Sequence, residues 1–572
     1  MILVLGGTTE GRKAVEVLEE AGKPYYYSTK TGEQDITLHH GQRVDGAMDA
    51  DRMYSFCNDH GVRLLVDAAH PFAKLLHQTV AVVSETLGIP AVRYERIYPP
   101  HDEDIVWIDD YRQVPHDMHS LLATTGVQSI SKLKWLEDYG VRVYYRILPR
   151  QSSIDLAHQQ GASDDQLCYY EDGNSIDVDA DAILLKESGV TGGFPEKVRA
   201  ARLRNMRIIV LKRPEIKMKE RFVWCDGPYG LRRAVERLLP GFFALRSGLT
   251  TGTCATAAAV AAILQRQGQQ PREVCVVLPN GETIAVAVGY GRDYAYCTKE
   301  AGDDPDVTNG IEVRAQVEPS NHFEIRGGMG VGRFTLPGFD YPPGEAAINR
   351  GPRQMLRANI QGNYVVTISV PEGQEIAKRT FNPRLGIEGG LSIIGVSGIV
   401  KPFSEEAFID SIRKCMTVAK ASGSNRVVLG SGAKSERFLQ HRYEELPRQA
   451  FVQYGNYIGQ ALSMASELQF PCVTLGVMLG KAVKLAEGQM DTHSRRGTMN
   501  PTFIAQMLDE ADCSADVSHI TLARELWEQL TAEELPRFTN IVINHCRHHC
   551  QRLYPDGELT ILLIDDDGRI WN

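Results

Sequence analysis

The N-terminal sequence places a short apolar run before a glycine-rich turn and an amphipathic segment. Ile2–Leu5 is continuously apolar and has the length of a strand buried on both faces. Apolar residues then recur at helical spacing from Ala14 to Leu18, and a second strand is expected at Pro24–Thr29. Because strand, turn, helix and strand follow in this order, the pattern predicts a βαβ unit of a parallel sheet.

The same order recurs along residues 1–240. A buried strand at Leu64–Asp67 leads into a polar loop in "VRLLVDAAHPFA", and further strands precede polar or glycine loops in "MHSLLATTG", "VRVYYRILP" and "AILLKESGVTGG". Ligands of open α/β sheets bind at the carboxyl ends of the strands. The pattern therefore predicts two α/β lobes, residues 1–100 and 101–240, with a ligand between them.

The first glycine turn is a candidate cofactor site, since glycines let a backbone approach a phosphate. Its residues are Gly6, Gly7, Thr8, Thr9, Glu10 and Gly11. Their spacing differs from G-x-G-x-x-G, so a plain strand-to-helix turn is the alternative. Lys30, after the second strand, suits the 2′-phosphate of NADPH better than the ribose diol of NADH, and the alternative is a solvated loop residue.

Composition and charge narrow the classes of function. The chain has 572 residues, of which 43% are apolar and 23% charged, as expected for several globular domains. A net charge of −10 argues against a general nucleic-acid-binding protein. No apolar run approaches the about 18 residues that span a bilayer, and the N-terminus lacks a signal-peptide pattern. With 11 cysteines and no C-x-x-C pair, we expect a cytoplasmic protein with reduced thiols and no membrane partner.

Five motifs of the first half resemble, in order, those of the precorrin-6A reductase family (CbiJ/CobK) of cobalamin biosynthesis. They are "GGTTEG", "DAAHPFA", "RYER", "TTG" and "KESGVTGG" followed by "EK", and the resemblance covers residues 1–239. It implies two Rossmann-like lobes and a reduced nicotinamide cofactor, NADH or NADPH. The implied reaction is reduction of one double bond in a corrin precursor.

Basic and small polar residues of the first half are candidates for holding the carboxylates that rim such a substrate. Arginine and lysine bind carboxylates through charge-assisted hydrogen bonds. The candidate substrate-binding residues are Arg93, Arg96, Arg146, Lys186, Ser188 and Gly192. His70 is the candidate catalytic proton donor, because an ordinary histidine pKa is about 6.5. The alternatives are a cap on the turn before Pro71 and a hydride transfer that needs only positioning.

A second glycine-rich turn that leads into a helix occurs near the middle of the chain. A helix ends at Pro240-Gly241, and "LRSGLTTGTCATAAAVAAILQ" then runs from a glycine and threonine turn into an alanine-rich helix. Later loops are crowded with Gly, Asp, Asn, Thr and Arg. A turn explains each glycine alone, but loops of this density are where a backbone approaches a ligand. The pattern predicts a separate region at 245–572.

Motifs of this second region are similar, in order, to those of the cobalt-precorrin-5B C1-methyltransferase (CbiD) family. They are "LRSGLTTGTCATAA", "KEAGDDPDVTNG", "GVGRFTLPGF", "TFNPRLGIEGGLSIIGVSGIV" and "GKAVKLAEGQMDTHS". The resemblance implies S-adenosylmethionine as methyl donor and an α/β (α+β) fold of non-class-I type. The region has no E/D-x-G-x-G-x-G signature, and its tail from about Ala511 is uninformative.

Methyl transfer requires alignment of donor and acceptor but no covalent nucleophile, so Cys254 is interpreted as a helix-start residue. The candidate cofactor-binding residues are Thr250, Thr251, Gly252, Thr253, Asp303, Asp304 and Asp306. For the aspartates, cation binding or helix capping is the alternative. Thr492 and His493 are the catalytic candidates facing the acceptor, and Asn382 and Arg384 the substrate-binding ones. "HCRHHC" lacks paired-ligand spacing, so no metal site is predicted.

Together these resemblances imply a bifunctional enzyme of corrin synthesis. The second half would methylate C1 of cobalt-precorrin-5B to give cobalt-precorrin-6A, and the first half would reduce that product to cobalt-precorrin-6B. The short junction motivates the hypothesis that the intermediate passes locally. A tetrapyrrole carrier with one inactive half and an unrelated NAD(P)-dependent reductase with a regulatory half are the alternatives. Homo-oligomerisation remains open.

Overall fold

The computed structural model describes residues 1–30, 32, 34–169, 178–493 and 499–572. The end of the "DTHS" motif, Ser494, lies outside them. The chain divides into two compact units. The first comprises Met1–Ser247 and Cys275–Ala285, and the second comprises Gly248–Val274 and Val286–Asn572.

The first unit contains two six-stranded sheets in which every neighbouring pair is parallel. In spatial order, the strands of the first sheet are Gly41–Asp45, Tyr25–Thr29, Ile2–Leu5, Leu64–Asp67, Ala91–Tyr94 and Phe222–Cys225. Those of the second sheet are Val106–Ile108, Arg207–Leu211, Ala182–Lys186, Ser120–Ala123, Arg142–Ile147 and Leu167–Tyr169. The predicted α/β class with parallel sheets is confirmed for this half.

The chain returns to the first sheet after building the second. The sequence predicts that residues 101–240 form the second lobe, whereas Phe222–Cys225 pairs in parallel with Ala91–Tyr94 of the first sheet. The strand is short and has no glycine fingerprint, so its sheet cannot be inferred from its own sequence. Burial of Phe222 and Cys225 in the cores of the first lobe supplies the driving force.

Helices of the first unit cover these sheets and begin at recognisable caps. The Thr8 side chain accepts a hydrogen bond from Gly11 N at the start of Thr9–Glu19, and Asp49 caps the next helix in the same way. The α-helices are Thr9–Glu19, Ala50–Asp59, Lys74–Leu87, Ile130–Leu133, Gln151–Gln159, Phe194–Leu203 and Pro228–Leu238.

The second unit contains two five-stranded sheets. The first is mixed, with strands in the order Gly289–Tyr290, Ala295–Thr298, Glu312–Pro319, Tyr364–Ser369 and Glu324–Gly327. The second has the order Phe451–Gln453, Arg426–Gly430, Cys472–Met478, Glu558–Ile564 and Ile570–Trp571. Its first four strands are parallel and the last is antiparallel, so the chain turns back at "IDDDG" between Glu558–Ile564 and Ile570–Trp571.

The helices of the second unit include the predicted alanine-rich helix. In this helix, Thr251–Arg266, 11 of the 16 residues are buried, and its small side chains allow close packing against the mixed sheet and the next helix. The other helices are Arg350–Asn359, Gly373–Ala377, Glu405–Ala421, Ala433–Arg442, Ile458–Glu467, Leu479–Ala486, Pro501–Glu510, Leu526–Gln529 and Glu534–Gln551. None of the described helices has the length and apolar character needed to cross a membrane.

A two-stranded hairpin joins Glu273–Val277 to Thr283–Ala287. Its tip follows from the sequence "LPNGE": Gly281 N donates to Leu278 O, and Gly281 has the positive φ of 87° that this turn requires. Although the hairpin lies within the second region of the sequence, Cys275–Ala285 belongs to the first unit.

Candidate functional sites

The first glycine turn connects Ile2–Leu5 to the helix Thr9–Glu19 and is held by bonds to neighbouring strand ends. Gly6 N donates to Ser28 O at 2.9 Å, Gly7 N to Tyr27 Oη at 3.0 Å, and Thr8 Oγ1 to Ala68 O at 2.6 Å. Gly7 has φ of 86°, and a Cβ there would meet no atom within 4 Å. The turn therefore leaves open space in front of Gly7, as a bound phosphate would need.

Glu10 lies on this helix start but points to a protein partner. Its carboxylate is 3% exposed, accepts from Arg96 Nε at 2.9 Å, and accepts from the Thr191 hydroxyl. Burial opposes ionisation, yet the Arg96 charge and the Thr191 hydrogen bond hold the pKa of Glu10 below its usual range. The predicted contact of Glu10 with a cofactor is not supported by this placement.

The end of the second strand presents Lys30 to solvent, while Thr29 is buried. Thr29 Oγ1 donates to Asp45 Oδ1 at 3.0 Å, and Arg43 Nε donates to the same oxygen at 3.2 Å. Both alternatives for Lys30, a phosphate ligand or a solvated loop residue, remain compatible with its exposure.

A cleft of 340 Å³ in the first unit gathers several of the predicted substrate-binding residues. Its lining residues are His70, Arg96, Thr124, Thr125, Gly126, Lys186, Ser188, Gly192 and Lys197. They come from the carboxyl ends of strands of both parallel sheets or from the loops and helix that follow. Cations and hydroxyls converge here with no carboxylate among the lining residues, so the cleft suits an anionic ligand.

The lysines of the cleft are crowded by other cations. Lys197 donates to Gly192 O at 3.1 Å, and its pKa is lowered by burial and by the nearby Arg146 and Arg96 charges. Burial and Lys132 lower the pKa of Lys186, whose ammonium lies 5.2 Å from the centre of the Phe72 ring. An incoming carboxylate would relieve this repulsion. Lys197 was not identified as a site residue, although it follows the quoted glycine loop in "GGFPEK".

Arg146 lies outside the lining of the cleft, whereas Gly192 and Ser188 form part of it. Arg146 is buried on Arg142–Ile147 and acts on Lys197 through its charge, but it is not among the residues lining the cleft. Gly192 is required by packing, because a Cβ there would lie 2.5 Å from Ser188 Cβ and 2.7 Å from an Arg96 nitrogen. Ser188 donates to Gly192 O at 3.2 Å.

His70 lies in the cleft with a neutral imidazole at neutral pH. Burial and the charges of Arg96 and Lys186 lower the pKa of His70 to about 4. Nδ1 accepts a hydrogen bond from Phe72 N at 3.2 Å, so in this arrangement the proton resides on Nε2. The imidazolium donor expected from an ordinary pKa is therefore not populated in the ligand-free protein.

Arg93 is a structural residue rather than part of the cleft. Its guanidinium is fully buried and donates to Asp67 Oδ1 at 3.0 Å, to the Asp67 and Ala69 carbonyl oxygens, and to the Glu95 carboxylate. Asp67 is also 2.6 Å from Nδ1 of the buried His77. We therefore correct the predicted substrate-binding role of Arg93, because its donors are occupied by protein acceptors.

The helix start at Thr250–Thr253 is buried and bonded to a second glycine loop. Thr250 N and Thr253 Oγ1 donate to Gly398 O, and Gly252 N donates to Ile394 O at 2.9 Å. Thr251 Oγ1 accepts from Ile394 N at 2.9 Å. These bonds fix the loop "IIGVSG", and a side chain at Gly395 would strike Thr250. This backbone is therefore in close contact with protein, and its cofactor-binding role stays a prediction.

The aspartates of "GDDPD" fall into different environments. Asp306 accepts from Lys299 Nζ at 2.7 Å and from the Thr308 backbone and hydroxyl, and despite its burial Lys299 lowers its pKa. Asp304 accepts from Phe403 N at 3.1 Å, whereas Asp303 is exposed. Asp306 therefore stabilises its own loop. Its carboxylate is engaged by Lys299 and Thr308, which does not support the predicted contact with a cofactor.

Asn382 and Arg384 lie in the same short segment but have different hydrogen-bond partners. The buried Asn382 amide donates to Gly390 O and accepts from Ser392 Oγ, which fixes the loop around it. Arg384 Nη1 donates to Glu436 Oε2 at 2.7 Å at the edge of a 470 Å³ cleft. Arg437 and Arg448 also line this cleft. Of the two predicted substrate-binding residues, Arg384 lines this cleft, and Asn382 is bonded within its own loop.

Thr492 and His493 lie near two lysines, Lys481 and Lys484, that belong to the helix Leu479–Ala486. Thr492 N donates to Asn456 O at 3.0 Å, and the Thr492 carbonyl accepts from Lys484 Nζ at 3.4 Å. Lys481 Nζ donates to Gly455 O, and burial together with the Lys484 charge lowers the pKa of Lys481 to about 8.

These residues surround the carboxyl edge of the parallel C-terminal sheet. The chain leaves Arg426–Gly430 towards Phe451–Gln453 on one side and later returns to Cys472–Met478 on the other, which makes a topological switch point. Gly432 and Gly480 follow the two central strands, and a Cβ at either would meet no atom within 4 Å. The strand order that creates this switch point is not visible in the sequence.

The histidines and cysteines of "HCRHHC" lie on the helix Glu534–Gln551. Cys546 and Cys550 are buried in the core, and His545 Nε2 is 2.8 Å from Glu510 Oε2. Within the described part of the chain, no group of three or more metal-ligating side chains is assembled. Cys254 is buried.

Comparison with known proteins assigns each half to a family. Residues 1–226 match the model of precorrin-6x reductase CbiJ/CobK, residues 241–402 that of CbiD, and residues 491–572 that of the CbiD C-terminal domain. A cobalt-precorrin-5B C(1)-methyltransferase from Prosthecochloris aestuarii is 42% identical over 57% of this chain and 95% of its own length.

Two solved structures are also similar. A cobalamin biosynthesis protein (cbiD) from Archaeoglobus fulgidus is 30% identical, with 44% of this chain and 83% of that chain covered and a TM-score of 0.26. The CobK precorrin-6A reductase is 17% identical, with coverages of 42% and 96% and a TM-score of 0.34. The chain belongs to the cobalt-precorrin-5B C(1)-methyltransferase family, and ahead of that region it carries a CbiJ/CobK precorrin reductase region.

Proposed function

We propose that this chain is a bifunctional enzyme of cobalamin synthesis. Its second region methylates C1 of cobalt-precorrin-5B with S-adenosylmethionine, and its first region reduces the product, cobalt-precorrin-6A, to cobalt-precorrin-6B with NADH or NADPH. The single observation that carries this proposal is the presence of both family regions in one chain. This pairing does not favour a carrier or an unrelated reductase.

For the reductase region, we place the nicotinamide cofactor at the Gly6–Gly11 turn of a Rossmann-like lobe, with the open space before Gly7 receiving a phosphate. The bound nicotinamide supplies a hydride. Arg96, Lys186 and Lys197 hold carboxylates of the macrocycle in the 340 Å³ cleft. His70 lies close enough to these cations that a bound carboxylate would raise its pKa, so it gains donor character only in the complex.

For the methyltransferase region, which we propose to be of non-class-I type, we place the methyl donor at the carboxyl edge of the C-terminal sheet. The switch point and the open space at Gly432 and Gly480 support this location. Thr492 and His493 lie beside the same loops and remain the residues proposed to face the acceptor. Arg384 is proposed to bind a carboxylate of the acceptor, since it lines the 470 Å³ cleft.

The overall proposal is tested by incubating the purified protein with cobalt-precorrin-5B, S-adenosylmethionine and either NADH or NADPH. Mass spectrometry should show the gain of one methyl group and then of two hydrogens. Methylation without reduction would remove the reductase proposal, and no methylation would remove the other. The rates with NADH and NADPH, and with a Lys30→Ala variant, decide the role of Lys30.

The methyl-donor location is tested by filling the open space. Gly432 has φ of 174°, so Gly432→Val introduces no backbone strain, and Gly480→Leu adds a side chain within a helix. Each should weaken S-adenosylmethionine binding by about tenfold or more in calorimetry, since a side chain would occupy the ligand volume. An Asp303→Asn variant is the comparison. Weakening by that change alone would return the donor site to the Thr250 side of the region.

A further inference from the structure

The hairpin Glu273–Ala287 carries a buried carboxylate that is bonded to a helix far away in the sequence. Glu282 is 1% exposed, and its Oε2 accepts from Gly230 N at 2.8 Å. The Tyr229 backbone N–H also donates to this carboxylate. Gly230 and Tyr229 belong to the first turn of Pro228–Leu238, whose N-cap residue, Gly227, provides no side-chain hydrogen bond. Glu282 therefore caps this helix.

A second contact lies beside the cap. Thr283 N donates to Asp226 Oδ1 at 2.7 Å, so the hairpin and the residue before Gly227 are bonded in both directions. Within the hairpin, Asn280 Nδ2 donates to the other Glu282 oxygen and Asn280 Oδ1 accepts from Glu282 N at 3.2 Å, which orients the carboxylate. The tip sequence thus presents a preorganised acceptor.

The approach is close enough to require glycine on the other side. A Cβ at Gly227 would lie 2.4 Å from Glu282 Cβ, although φ of −161° is open to any residue. Gly281 at the hairpin tip would place a Cβ 3.6 Å from Ile97 Cδ1, in the first lobe. Steric fit, two hydrogen-bonded carboxylates and a required glycine distinguish this contact from an incidental one.

We propose that the hairpin 275–285, encoded within the methyltransferase region, is a docking element for the reductase region. Its binding surface is the helix start Asp226–Gly230, and its anchor is the Glu282 carboxylate. The chain therefore passes between the two units at Ser247–Gly248 and again on either side of the hairpin, at Val274–Cys275 and Ala285–Val286. This inference concerns attachment and does not depend on the substrates proposed above.

The test uses the full chain with a protease recognition sequence inserted after Ala244, in the exposed junction. After cleavage, the two fragments should remain together in gel filtration at micromolar concentration. Glu282→Ala should raise the concentration at which they separate by about tenfold or more, because a buried charged acceptor is lost. Glu273→Ala, at an exposed position of the same hairpin, is the matched control.

Glu282→Gln guards against a folding defect, since it keeps the shape and one acceptor and should give an intermediate effect. Gly227→Ala, on the opposite surface, should weaken association through the close approach to Glu282 Cβ. Separation of the cleaved wild-type fragments at micromolar concentration would overturn the proposal. It would also be overturned if Glu282→Ala behaved like Glu273→Ala.

Discussion

The Glu10 carboxylate and the Arg96 guanidinium form a buried ion pair, in which Nε donates to Oε2 at 2.9 Å. Arg96 also donates to Ser188 O at 2.7 Å, and Ser188 lies in the loop after a strand of the second sheet. The pair therefore links the glycine turn of the first lobe with a loop of the second lobe. It also orients one of the cations of the cleft.

Removal of one member of this pair should destabilise the lobe locally. Glu10→Gln leaves the Arg96 charge without its counter-ion and should cost about 3 kcal/mol, at the lower end of values for broken buried pairs. Hydrogen exchange of the amides of Thr9–Glu19, followed by mass spectrometry, should become faster. Glu16→Gln, exposed on the same helix, is the control. Equal exchange in both variants would show that the pair contributes nothing.

The same pair gives a signed dependence on pH. Because the folded pKa of Glu10 is lowered, its stabilisation is present above the unfolded pKa and is lost as pH falls through the folded pKa. Exchange rates of wild type and Glu10→Gln should therefore differ at neutral pH and converge under acid conditions. A difference that grows on acidification would contradict this assignment.

Lys186 should contribute to substrate binding by the reductase. Lys186→Met removes a charged donor from the cleft and should lower kcat/KM for reduction by about 10- to 100-fold, mainly through KM. Methylation by the same variant should be unchanged. Lys219→Met, at an exposed position of the first unit, is the control. An unchanged KM would place the substrate elsewhere.

Titration of His70 should not appear as an inflection near pH 6.5 when kcat/KM of the reductase is plotted against pH. With its pKa lowered to about 4 by burial and by Arg96 and Lys186, it stays neutral from about pH 5 upwards. The reductase kcat/KM should therefore show no inflection near pH 6.5 that disappears in His70→Gln. Finding such an inflection would mean that the free imidazole has an ordinary pKa.

Binding of S-adenosylmethionine should strengthen as pH rises through about 8. Burial and Lys484 lower the pKa of Lys481 to about 8, and loss of its proton removes a positive charge near the proposed site of a sulfonium cation. Calorimetry at several pH values should show this increase in wild type and not in Lys481→Met. Lys420→Met is the control. The same pH dependence in Lys481→Met would exclude Lys481 as its source.

The sequence was informative where local patterns carry the structure. Ile2–Leu5, the helix after the first glycine turn and the strand Leu64–Asp67 follow from apolar runs and helical spacing, which act over a few positions. The two family resemblances also rest on contiguous motifs, and the comparisons confirm them. These features need no knowledge of what packs against them.

The partners of polar side chains depend on the tertiary fold and could not be predicted from the sequence. Arg93 and Arg96 are three residues apart and look alike in sequence, yet Arg93 is enclosed by Asp67 and Glu95 while Arg96 lines the cleft. Thr250–Thr253 looked like a ligand-binding turn but bonds a loop about 145 residues later in the chain. Burial and hydrogen bonding across such separations set charge, pKa and access, and no local pattern encodes them.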